Sequence, residues 1–247
     1  MSASDAGAER SHPGEDGGSY ADWVGREIDA RYRIQGLLGE GGMGAAFEAT
    51  HLKLRKTVAL KVIHPEFAGD GEVAKRFARE AMASAQLEHP HVASATDYGT
   101  LAEGGAYLVM QLVRGGSLRD RLDAQPGGLG WLRACQVGQQ VADALSAAHK
   151  EGIVHRDLKP DNVMLEPRDD GSDLVKVLDF GIARVADAKA GATGGALTRV
   201  GTVIGTPGYM APEQALGEAI DARADLYALG LLLFEAITGE PVFDLDD

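Results

Sequence analysis

Residues 155–162 read HRDLKPDN, inside the longer stretch IVHRDLKPDNVML. Three of these residues, Asp157, Lys159 and Asn162, bring a carboxylate, an ammonium and a carboxamide into one short loop. Transfer of a phosphoryl group to a hydroxyl requires an acceptor for the proton, positive charge for the moving oxygens and ligands for magnesium. The three side chains fit these requirements. A purely polar turn between a helix and a strand does not easily account for all three residue types together.

A further candidate magnesium ligand lies downstream of this loop. Residues 174–178 form a strand-like apolar run, and the tripeptide Asp179-Phe180-Gly181 follows it directly. A tripeptide of this kind is common by chance, whereas one that follows HRDLKPDN is not. The sequence therefore predicts that Asp179 offers a carboxylate to magnesium, in addition to the carboxamide of Asn162.

Composition and charge narrow the possible classes of protein. The chain of 247 residues is 45% hydrophobic and 25% charged, which is ordinary for a globular protein with one large domain or two lobes. A formal net charge of −13 argues against non-specific binding to nucleic acid or to anionic membranes. Because Cys135 is the only cysteine, an intrachain disulfide and a cysteine pair for zinc are excluded, and a reducing cytoplasm fits best.

The two ends of the chain carry different patterns. The first residues lack the apolar segment of a signal peptide, and residues 1–28 are rich in Gly, Ser, Asp and Glu, so we expect a disordered tail there. The longest apolar run, residues 226–237, is interrupted by Gly230 and Glu235 and is too short to span a bilayer. We interpret this run as a buried helix. The expectation is a cytoplasmic protein with no membrane segment and no nucleic-acid partner.

The pattern of predicted elements changes at about residue 114. Before this point, strand-like runs occur at residues 32–38, 45–51, 57–63, 92–98 and 106–113, with a helical pattern at residues 72–87. After it the pattern is mostly helical, as in residues 131–150, where apolar residues recur at helical spacing until Gly152. We therefore predict an α+β fold with a β-rich N-lobe over residues 29–112 and a helical C-lobe over residues 113–247.

Residues 39–44 read GEGGMG and have the form GxGxxG, which alone is weak evidence. One interpretation is a flexible hairpin turn. Another is a dinucleotide-binding fingerprint, but that motif needs a helix after the glycines and an acidic residue about twenty positions further on, where this chain has Lys61. Because a strand follows the glycines here, the context favours a flap whose backbone amides lie over the phosphates of a nucleotide.

Lys61 lies in a predicted strand, between Leu60 and Val62. One interpretation is an ammonium that reaches out of a sheet edge into water. The following helix favours another, because Glu80 lies in the middle of its apolar stripe and an unpaired buried carboxylate costs several kcal/mol. We therefore expect Glu80 to pair with Lys61. The alternative is a surface pair with Arg76, which leaves the position of Glu80 on the stripe unexplained.

Taken together and in this order, the motifs resemble those of the eukaryotic-type, or Hanks-type, serine/threonine protein kinases of bacteria. The resemblance runs from about residue 32 to the end of the chain. Beyond the residues already quoted, it includes the segments GTPGY at residues 205–209, APE at residues 211–213 and DLYALG at residues 225–230. It implies a two-lobed protein-kinase-like fold that uses ATP and Mg²⁺.

The resemblance also implies roles for single residues. Asp157 is the catalytic base, Lys159 steadies the γ-phosphate, and Lys61 with Glu80 positions the α- and β-phosphates. Magnesium is implied on Asn162 and Asp179. The residues implied in nucleotide binding form the flap, the wall beside the adenine and the connector between the lobes: Leu38, Gly39, Glu40, Gly41, Gly42, Met43, Gly44, Ala46, Lys61, Gln111 and Val113, with Met110 behind the adenine.

By resemblance, the chain phosphorylates serine or threonine hydroxyls on protein substrates in signal transduction. Lys159 and Thr206 resemble the serine/threonine class rather than the tyrosine class. Arg156, directly before the implied base, resembles kinases that are activated by phosphorylation of a loop. Residues 186–201, rich in Ala, Gly and Thr, predict a mobile loop, and Thr198 and Thr202 are candidate sites of autophosphorylation. Alternatively, both threonines are ordinary solvated loop residues.

Two features depart from the family pattern. Ala46 stands where the family usually has valine, and its smaller apolar wall predicts nucleotide binding that is weaker by about 1 kcal/mol. Family domains continue for several helices, so we expect a truncated C-lobe in which residues 226–237 lose part of their cover and a buried Glu213 lacks its partner. Such a chain would be poorly stable and weakly active unless a second copy or a partner protein covered that face. The alternative function is a catalytically silent nucleotide-binding scaffold.

Overall fold

The computed structural model describes residues 20–41, 44–63, 85–102, 104–180 and 207–243. The N-terminal part contains an antiparallel six-stranded sheet with the strand order β1-β2-β3-β4-β6-β5. The strands are β1 (Glu27–Ile28), β2 (Tyr32–Gly41), β3 (Gly44–His51), β4 (Lys56–Ile63), β5 (Ala95–Thr100) and β6 (Ala106–Gln111). The strands predicted from the sequence are confirmed, although the run predicted at residues 92–98 becomes a strand only at Ala95.

The core of this lobe lies on one face of the sheet. It includes residues that alternate along β3, namely Ala45, Phe47 and Ala49. Leu60 and Val62 of β4 belong to the same core, so Lys61 between them points to the opposite face. Because β4 lies between β3 and β6, Lys61 is not on an edge strand. The interpretation of Lys61 as an ammonium at a sheet edge is therefore wrong.

The segment before the sheet is folded from residue 20 onward. Tyr20–Trp23 form a short 3-10 helix, and β1 pairs with β2. The tail predicted for residues 1–28 therefore does not extend over residues 20–28. Tyr20 and Trp23 pack on the core of the sheet, and the polar composition of the whole segment did not reveal this apolar contribution. Residues 1–19 lie outside the described residues.

The C-terminal part combines helices with a small antiparallel sheet. The sheet has the order β7-β8-β9, with β7 (Gly116–Ser117), β8 (Val163–Pro167) and β9 (Asp173–Val177). The helices are α1 (Leu118–Asp123), α2 (Trp131–Lys150), α3 (Pro212–Ala215) and α4 (Ala222–Thr238). The bounds of α2 agree with the prediction, and Gly152 follows its end with a φ of 72°. The predicted α+β architecture with two lobes is confirmed.

Helices α2 and α4 pack together in the core of the larger lobe. A Cβ on Gly138 of α2 would lie 2.4 Å from the side chain of Leu233 of α4, so the glycine permits this close approach. In contrast, Leu226, Phe234 and Ile237 of α4 are 56%, 48% and 40% exposed. Part of the apolar surface of residues 226–237 is thus exposed, as expected from the sequence, because the elements within the described ranges pack against one side of α4.

The outer edge of β9 is bonded to α2 and to residues 91–93. The carboxamide of Gln140 donates to the backbone oxygen of Asp173 and accepts from the N–H of Val175, both at 3.0 Å. The Nδ1 of His91 contacts the backbone oxygen of Val175 at 3.1 Å. Val177 exchanges two backbone bonds with residues 91–93, at 2.9 and 3.0 Å. This pairing fixes the strand that leads to position 179.

Several predicted features fall outside the described residues. They are Gly42, Met43, the helix over residues 72–84 with Glu80, the loop at residues 186–201, and Thr198, Thr202 and Thr206. Residues 85 and 86, at the end of that predicted helix, are helical. Glu213 of α3, which was expected to be buried, is only half-buried.

A steric constraint requires glycine at the last position of the GxGxxG motif. Gly44 has a φ of 147°, and a Cβ at this position would lie 1.9 Å from the carbonyl oxygen of Val62 in β4. At Gly41, in contrast, a Cβ would meet no atom within 4 Å. The fold therefore requires glycine at position 44, whereas position 41 has room for a side chain.

We predict that Gly44→Ala destabilises the chain by about 1–3 kcal/mol from backbone strain alone, with the clash against Val62 adding to this. Gly41→Ala should be neutral or stabilise by up to about 1 kcal/mol, because it only restricts the unfolded chain. Urea denaturation of both purified variants measures the difference. Equal effects of the two substitutions would contradict the steric explanation.

Candidate active site

A buried carboxylate on α4 fixes the loop of residues 155–162, here called the HRD loop. Asp225, with 1% of its surface exposed, accepts hydrogen bonds from the backbone N–H groups of His155 and Arg156, each at 2.8 Å. The Nε2 of His149 on α2 donates to the same carboxylate at 2.7 Å. The position of Asp225 in the first turn of α4 also favours its negative charge. Three donors from two elements therefore satisfy this carboxylate and hold the backbone just before Asp157.

His155 serves the structure of the loop rather than its chemistry. Its Nε2 donates to the backbone oxygen of Leu178 at 2.7 Å, and its Nδ1 accepts from the N–H of Asp157 at 3.3 Å. The ring also meets Phe180 edge to face, with the centroids 4.8 Å apart. Since the N–H of Leu178 donates to the backbone oxygen of Asn162 at 2.9 Å, the chain that leaves β9 is held against the HRD loop at two points.

Asp157, Lys159 and Asn162 come together as the sequence predicted. The carboxamide nitrogen of Asn162 donates to the backbone oxygen of Asp157 at 2.7 Å and to its carboxylate at 3.3 Å. The ammonium of Lys159 lies 3.7 Å from the same carboxylate. With its nitrogen turned toward Asp157, Asn162 presents its oxygen as the atom suited to a cation. The carboxylate of Asp157 remains partly exposed and can meet a substrate hydroxyl.

Lys61 and Asp179 connect the two lobes. The Nζ of Lys61 lies 2.6 Å from Oδ2 of Asp179, and both side chains are mostly buried. The predicted partner Glu80 lies outside the described residues, so its pairing with Lys61 stays a prediction. The other carboxylate oxygen of Asp179, Oδ1, is buried and has no hydrogen-bond partner among the described residues. A buried oxygen of this kind is costly unless it binds a donor or a cation.

Two residues of this region adopt a backbone conformation that side chains disfavour. Arg156 has a φ of 70° and Asp179 a φ of 61°. Non-glycine residues persist there only where the surroundings hold them, and such residues concentrate at functional sites. The holding contacts of Arg156 include its bond to Asp225 and the Nε2 of Gln214, which donates to its backbone oxygen at 2.8 Å. Helix α3, which carries Gln214, is thereby attached to the HRD loop.

Two of the predicted nucleotide contacts of the sheet, Ala46 and Gly39, lie in register with Lys61. In the strand register, Ala46 pairs with Lys61 on one side and with Gly39 on the other. A Cβ on Gly39 or Gly41 would meet no atom within 4 Å, and Leu38 is largely exposed. The flap strand therefore leaves open space beside Ala46 and Lys61, as a bound nucleotide requires.

The connector follows directly on β6. Met110 is buried, and β6 ends at Gln111. The backbone N–H of Gln111 donates to the oxygen of Ser94 at 3.1 Å, so it is not available to a ligand. An adenine at this position would therefore use the backbone oxygen of Gln111 and the backbone groups of Val113.

Asp179 and Asn162 fit a magnesium ion that is shared with phosphates. Magnesium prefers oxygen ligands and commonly takes one or two from the protein and the others from phosphates and water. The buried Oδ1 of Asp179 and the carboxamide oxygen of Asn162 are two such ligands. Over the described part of the chain, no three His, Cys, Asp or Glu side chains form a cluster that could hold a metal by themselves. Phosphate oxygens would complete the ligand set.

A buried cluster that was not predicted from the sequence joins α1, α4 and the turn before α3. Glu235 of α4 is 1% exposed; it accepts from the guanidinium of Arg119 at 2.7 Å and from the hydroxyl of Tyr209. Burial alone would lower the pKa of Arg119, but the hydrogen bond to Glu235 and its charge raise the pKa overall. Burial, followed by the hydrogen bond to Glu235, raises the pKa of Tyr209. The sequence signal for this cluster was the charged Glu235 within the apolar run of residues 226–237, because a buried carboxylate requires a partner.

Comparisons with known proteins agree with this arrangement. The family described as the protein kinase domain matches residues 32–247. The serine/threonine-protein kinase pkn3 of Myxococcus xanthus is 45% identical over 226 residues, which cover 91% of this chain and 41% of that protein. The serine/threonine-protein kinase PknA of Mycobacterium tuberculosis is 42% identical over 224 residues, covering 89% and 49%. The crystal structure of the Mycobacterium tuberculosis PknI kinase domain matches with a TM-score of 0.71 at 31% identity, over 90% of this chain and 79% of that one.

The chain therefore belongs to the protein kinase family, and its fold is the protein kinase fold. It spans less than half the length of the two curated relatives. None of the helices within the described ranges is both long enough and apolar enough to cross a lipid bilayer. The resemblance inferred from the HRD loop and the residues around Asp179 is thus confirmed at the level of the family.

We predict that Asp225→Asn destabilises the chain by about 1–3 kcal/mol, because an acceptor oxygen becomes an NH₂ donor that faces a backbone N–H. Urea denaturation measures this loss. Asp123→Asn is the matched control, since Asp123 is exposed and pairs with Arg119 at 3.4 Å, and it should cost less than about 0.5 kcal/mol. A loss for Asp225→Asn as small as that of the control would show that the three hydrogen bonds do not hold the loop.

Proposed function

We propose that the chain catalyses the ATP- and magnesium-dependent phosphorylation of serine and threonine hydroxyls on proteins. The observation that carries the proposal is the carboxylate of Asp179, in a segment bonded to the HRD loop. Its Oδ2 lies 2.6 Å from the Nζ of Lys61, and its buried Oδ1 has no hydrogen-bond partner among the described residues. Lys61 of the sheet and Asp179 thereby meet in a segment that is hydrogen-bonded to the loop of Asp157. Those are the components that phosphoryl transfer requires.

Each residue of the site has a separate role in the proposed reaction. Asp157, whose carboxylate is positioned by Asn162, accepts the proton of the substrate hydroxyl as that oxygen attacks the γ-phosphorus. The bond between the γ-phosphorus and the bridging oxygen breaks in the same transfer, and ADP leaves with that oxygen. The ammonium of Lys159, 3.7 Å from this carboxylate, stabilises the charge on the phosphoryl oxygens. Lys61 binds the α- and β-phosphates from the sheet. Asp179 and Asn162 would hold magnesium, which would supply positive charge to the phosphate oxygens.

The acceptor class and the location are further parts of the proposal. Serine and threonine are favoured as acceptors by Lys159 in the HRD loop and by relatives described as serine/threonine-protein kinases. We place the reaction in the cytoplasm, where ATP is present and a single cysteine such as Cys135 stays reduced. We assign residues 29–112 to the N-lobe and residues 113–247 to the C-lobe, which meet at the connector. The role proposed for Glu80 is to hold Lys61 toward the phosphates.

Incubation with labelled ATP and magnesium tests the proposal. We expect transfer of label to serine or threonine, with Lys61→Met and Asp157→Asn each lowering the rate by at least about 100-fold because each removes charge placed for the transition state. Trp131→Phe, a change on the exposed start of α2, should keep the wild-type rate. Circular dichroism verifies that the variants are folded.

Two results of this assay would contradict the proposal. A wild-type chain that binds ATP but transfers no label would instead support the alternative of a nucleotide-binding scaffold. An undiminished rate in folded Lys61→Met would remove the role assigned to Lys61.

We also predict that the active protein carries phosphate on Thr198 or Thr202, placed there by the chain itself. Phosphate near Arg156 would neutralise its guanidinium and order the loop that carries the threonines. Mass spectrometry of the wild-type chain should find the modification, and the Asp157→Asn variant expressed in the same way should lack it. A fully active sample without phosphate at either position would contradict this prediction.

A further inference from the structure

A short N-terminal segment, residues 20–26, lies across the outer face of the six-stranded sheet and is here called the strap. Its Trp23 stacks on Phe47 of β3, with the ring centroids 5.8 Å apart and the planes inclined by 9°. Tyr20 meets the same ring edge-on at 6.0 Å. The guanidinium of Arg26 lies 4.3 Å from the centre of the Trp23 ring. Phe47 is completely buried beneath these contacts.

Phe47 lies directly behind the residues assigned to the nucleotide. It follows Ala46, and successive side chains of a strand point to opposite faces, so Ala46 faces the side of Lys61 while Phe47 faces the strap. In the strand register, Phe47 pairs with Leu37 of β2 and with Leu60 of β4. The strap therefore covers the opposite face of β2, β3 and β4 at the level of the flap, Ala46 and Lys61.

Further contacts attach the strap along β2. The N–H of Gly25 donates to the backbone oxygen of Ile34, and the N–H of Ile34 donates to the oxygen of Arg26, both at 2.9 Å. Farther along β2, the rings of Tyr20 and Trp23 contact Phe47, which pairs with Leu37 of that strand. The strap thus contacts the first half of β2 through its backbone and the middle of the strand through Phe47.

We propose that the strap is a brace that holds β2 and β3 in the arrangement that binds the nucleotide, with Trp23 as its positioning residue. The inference rests on the proposed function, because it requires a nucleotide on the Lys61 side of these strands. Trp23 acts through Phe47 and not by contact with the nucleotide. The match to the protein kinase family begins at residue 32, so membership of the family does not account for the strap.

The flap has two features that make such a brace effective. A Cβ on Gly39 or Gly41 would meet no atom of the described residues within 4 Å, so these residues leave room beside the strand at both positions. The β2–β3 register also shifts between Ile34 and Gly36 and between Leu37 and Gly39, and shifts of this kind bend and twist a strand. If only a fraction of the molecules has the binding arrangement, the apparent dissociation constant rises by the inverse of that fraction. The stack on Phe47 raises the fraction.

Nucleotide affinities of Trp23 variants test the proposal. Calorimetry measures the dissociation constant of the magnesium complex of a non-hydrolysable ATP analogue, and steady-state assays give KM for ATP and kcat. We expect Trp23→Ala to raise the dissociation constant and KM about 3- to 10-fold, as expected from the loss of an aromatic contact. The kcat at saturating ATP should be unchanged. Trp23→Phe keeps a ring on Phe47 and should stay within about twofold of wild type.

Tyr32→Phe separates this effect from a simple loss of stability. Tyr32 begins β2 at the end far from the flap, and its hydroxyl donates to Asp97 at 2.6 Å. The variant loses a hydrogen bond in the same lobe but keeps the stack on Phe47. It should lower the melting temperature and leave the dissociation constant unchanged. An unchanged constant for folded Trp23→Ala, or an equal rise for Tyr32→Phe, would overturn the proposal.

Tryptophan fluorescence tests the coupling between the strap and nucleotide binding in a chain that keeps Trp23. The chain has two tryptophans, and Trp131 is 70% exposed on α2, so Trp131→Phe leaves Trp23 as the single reporter. Its emission should change as the analogue is added, with the same midpoint as in calorimetry. Constant emission while calorimetry detects binding would overturn the coupling and leave the proposed function standing. Failure of the wild-type chain to bind the analogue would overturn both.

Discussion

The buried carboxylate of Asp225 accepts two backbone N–H groups of the HRD loop and the ring N–H of His149. Bonds to a charged acceptor are strong, and they are stronger still where water is excluded. This acceptor keeps Arg156 in a backbone region that residues with side chains seldom occupy. The positions of the reactive groups follow from that constraint, because the N–H of Asp157 bonds to His155 and Asn162 bonds back to Asp157. The loop is thus held by the carboxylate on α4, together with the bonds from Gln214 of α3 to Arg156 and from His155 to Leu178.

The lobes are joined by two kinds of contact that differ in their physical character. Backbone hydrogen bonds between Val177 and residues 91–93 do not depend on protonation and are little affected by salt. The pair of Lys61 and Asp179 is electrostatic, is mostly buried and lies where the phosphates of a nucleotide would bind. The backbone bonds fix the position of β9 of the larger lobe against residues 91–93. The ion pair can exchange one partner for a ligand without disturbing these backbone bonds.

The sequence predicted those parts of the molecule that depend on neighbours along the chain. Period-two patterns located β2, β3 and β4, helical spacing gave the bounds of α2, and the HRD loop brought Asp157, Lys159 and Asn162 together as expected. Contacts between distant residues could not be predicted in the same way, because tertiary packing chooses the partner: Lys61 meets Asp179, and Glu235 meets Arg119 and Tyr209. The strap was not predicted from the sequence for a different reason. Its two aromatic residues stand in a segment whose average composition is polar, and an average hides a local apolar contact. The apolar pattern of α4 likewise did not show which of its sides the neighbouring elements cover.

The edge of β9 has a consequence for how the protein behaves among other chains. An outer strand normally displays a row of free amide and carbonyl groups, which act as a template for a strand from another molecule. Here the carboxamide of Gln140 imitates the hydrogen bonding of a neighbouring strand, and His91 with the backbone of residues 91–93 occupies the following positions. A peptide that approached this edge would have to displace bonds already made. The strand that leads to Asp179 is therefore closed to cross-chain β-pairing, and the protection comes from Gln140, His91 and the backbone of residues 91–93.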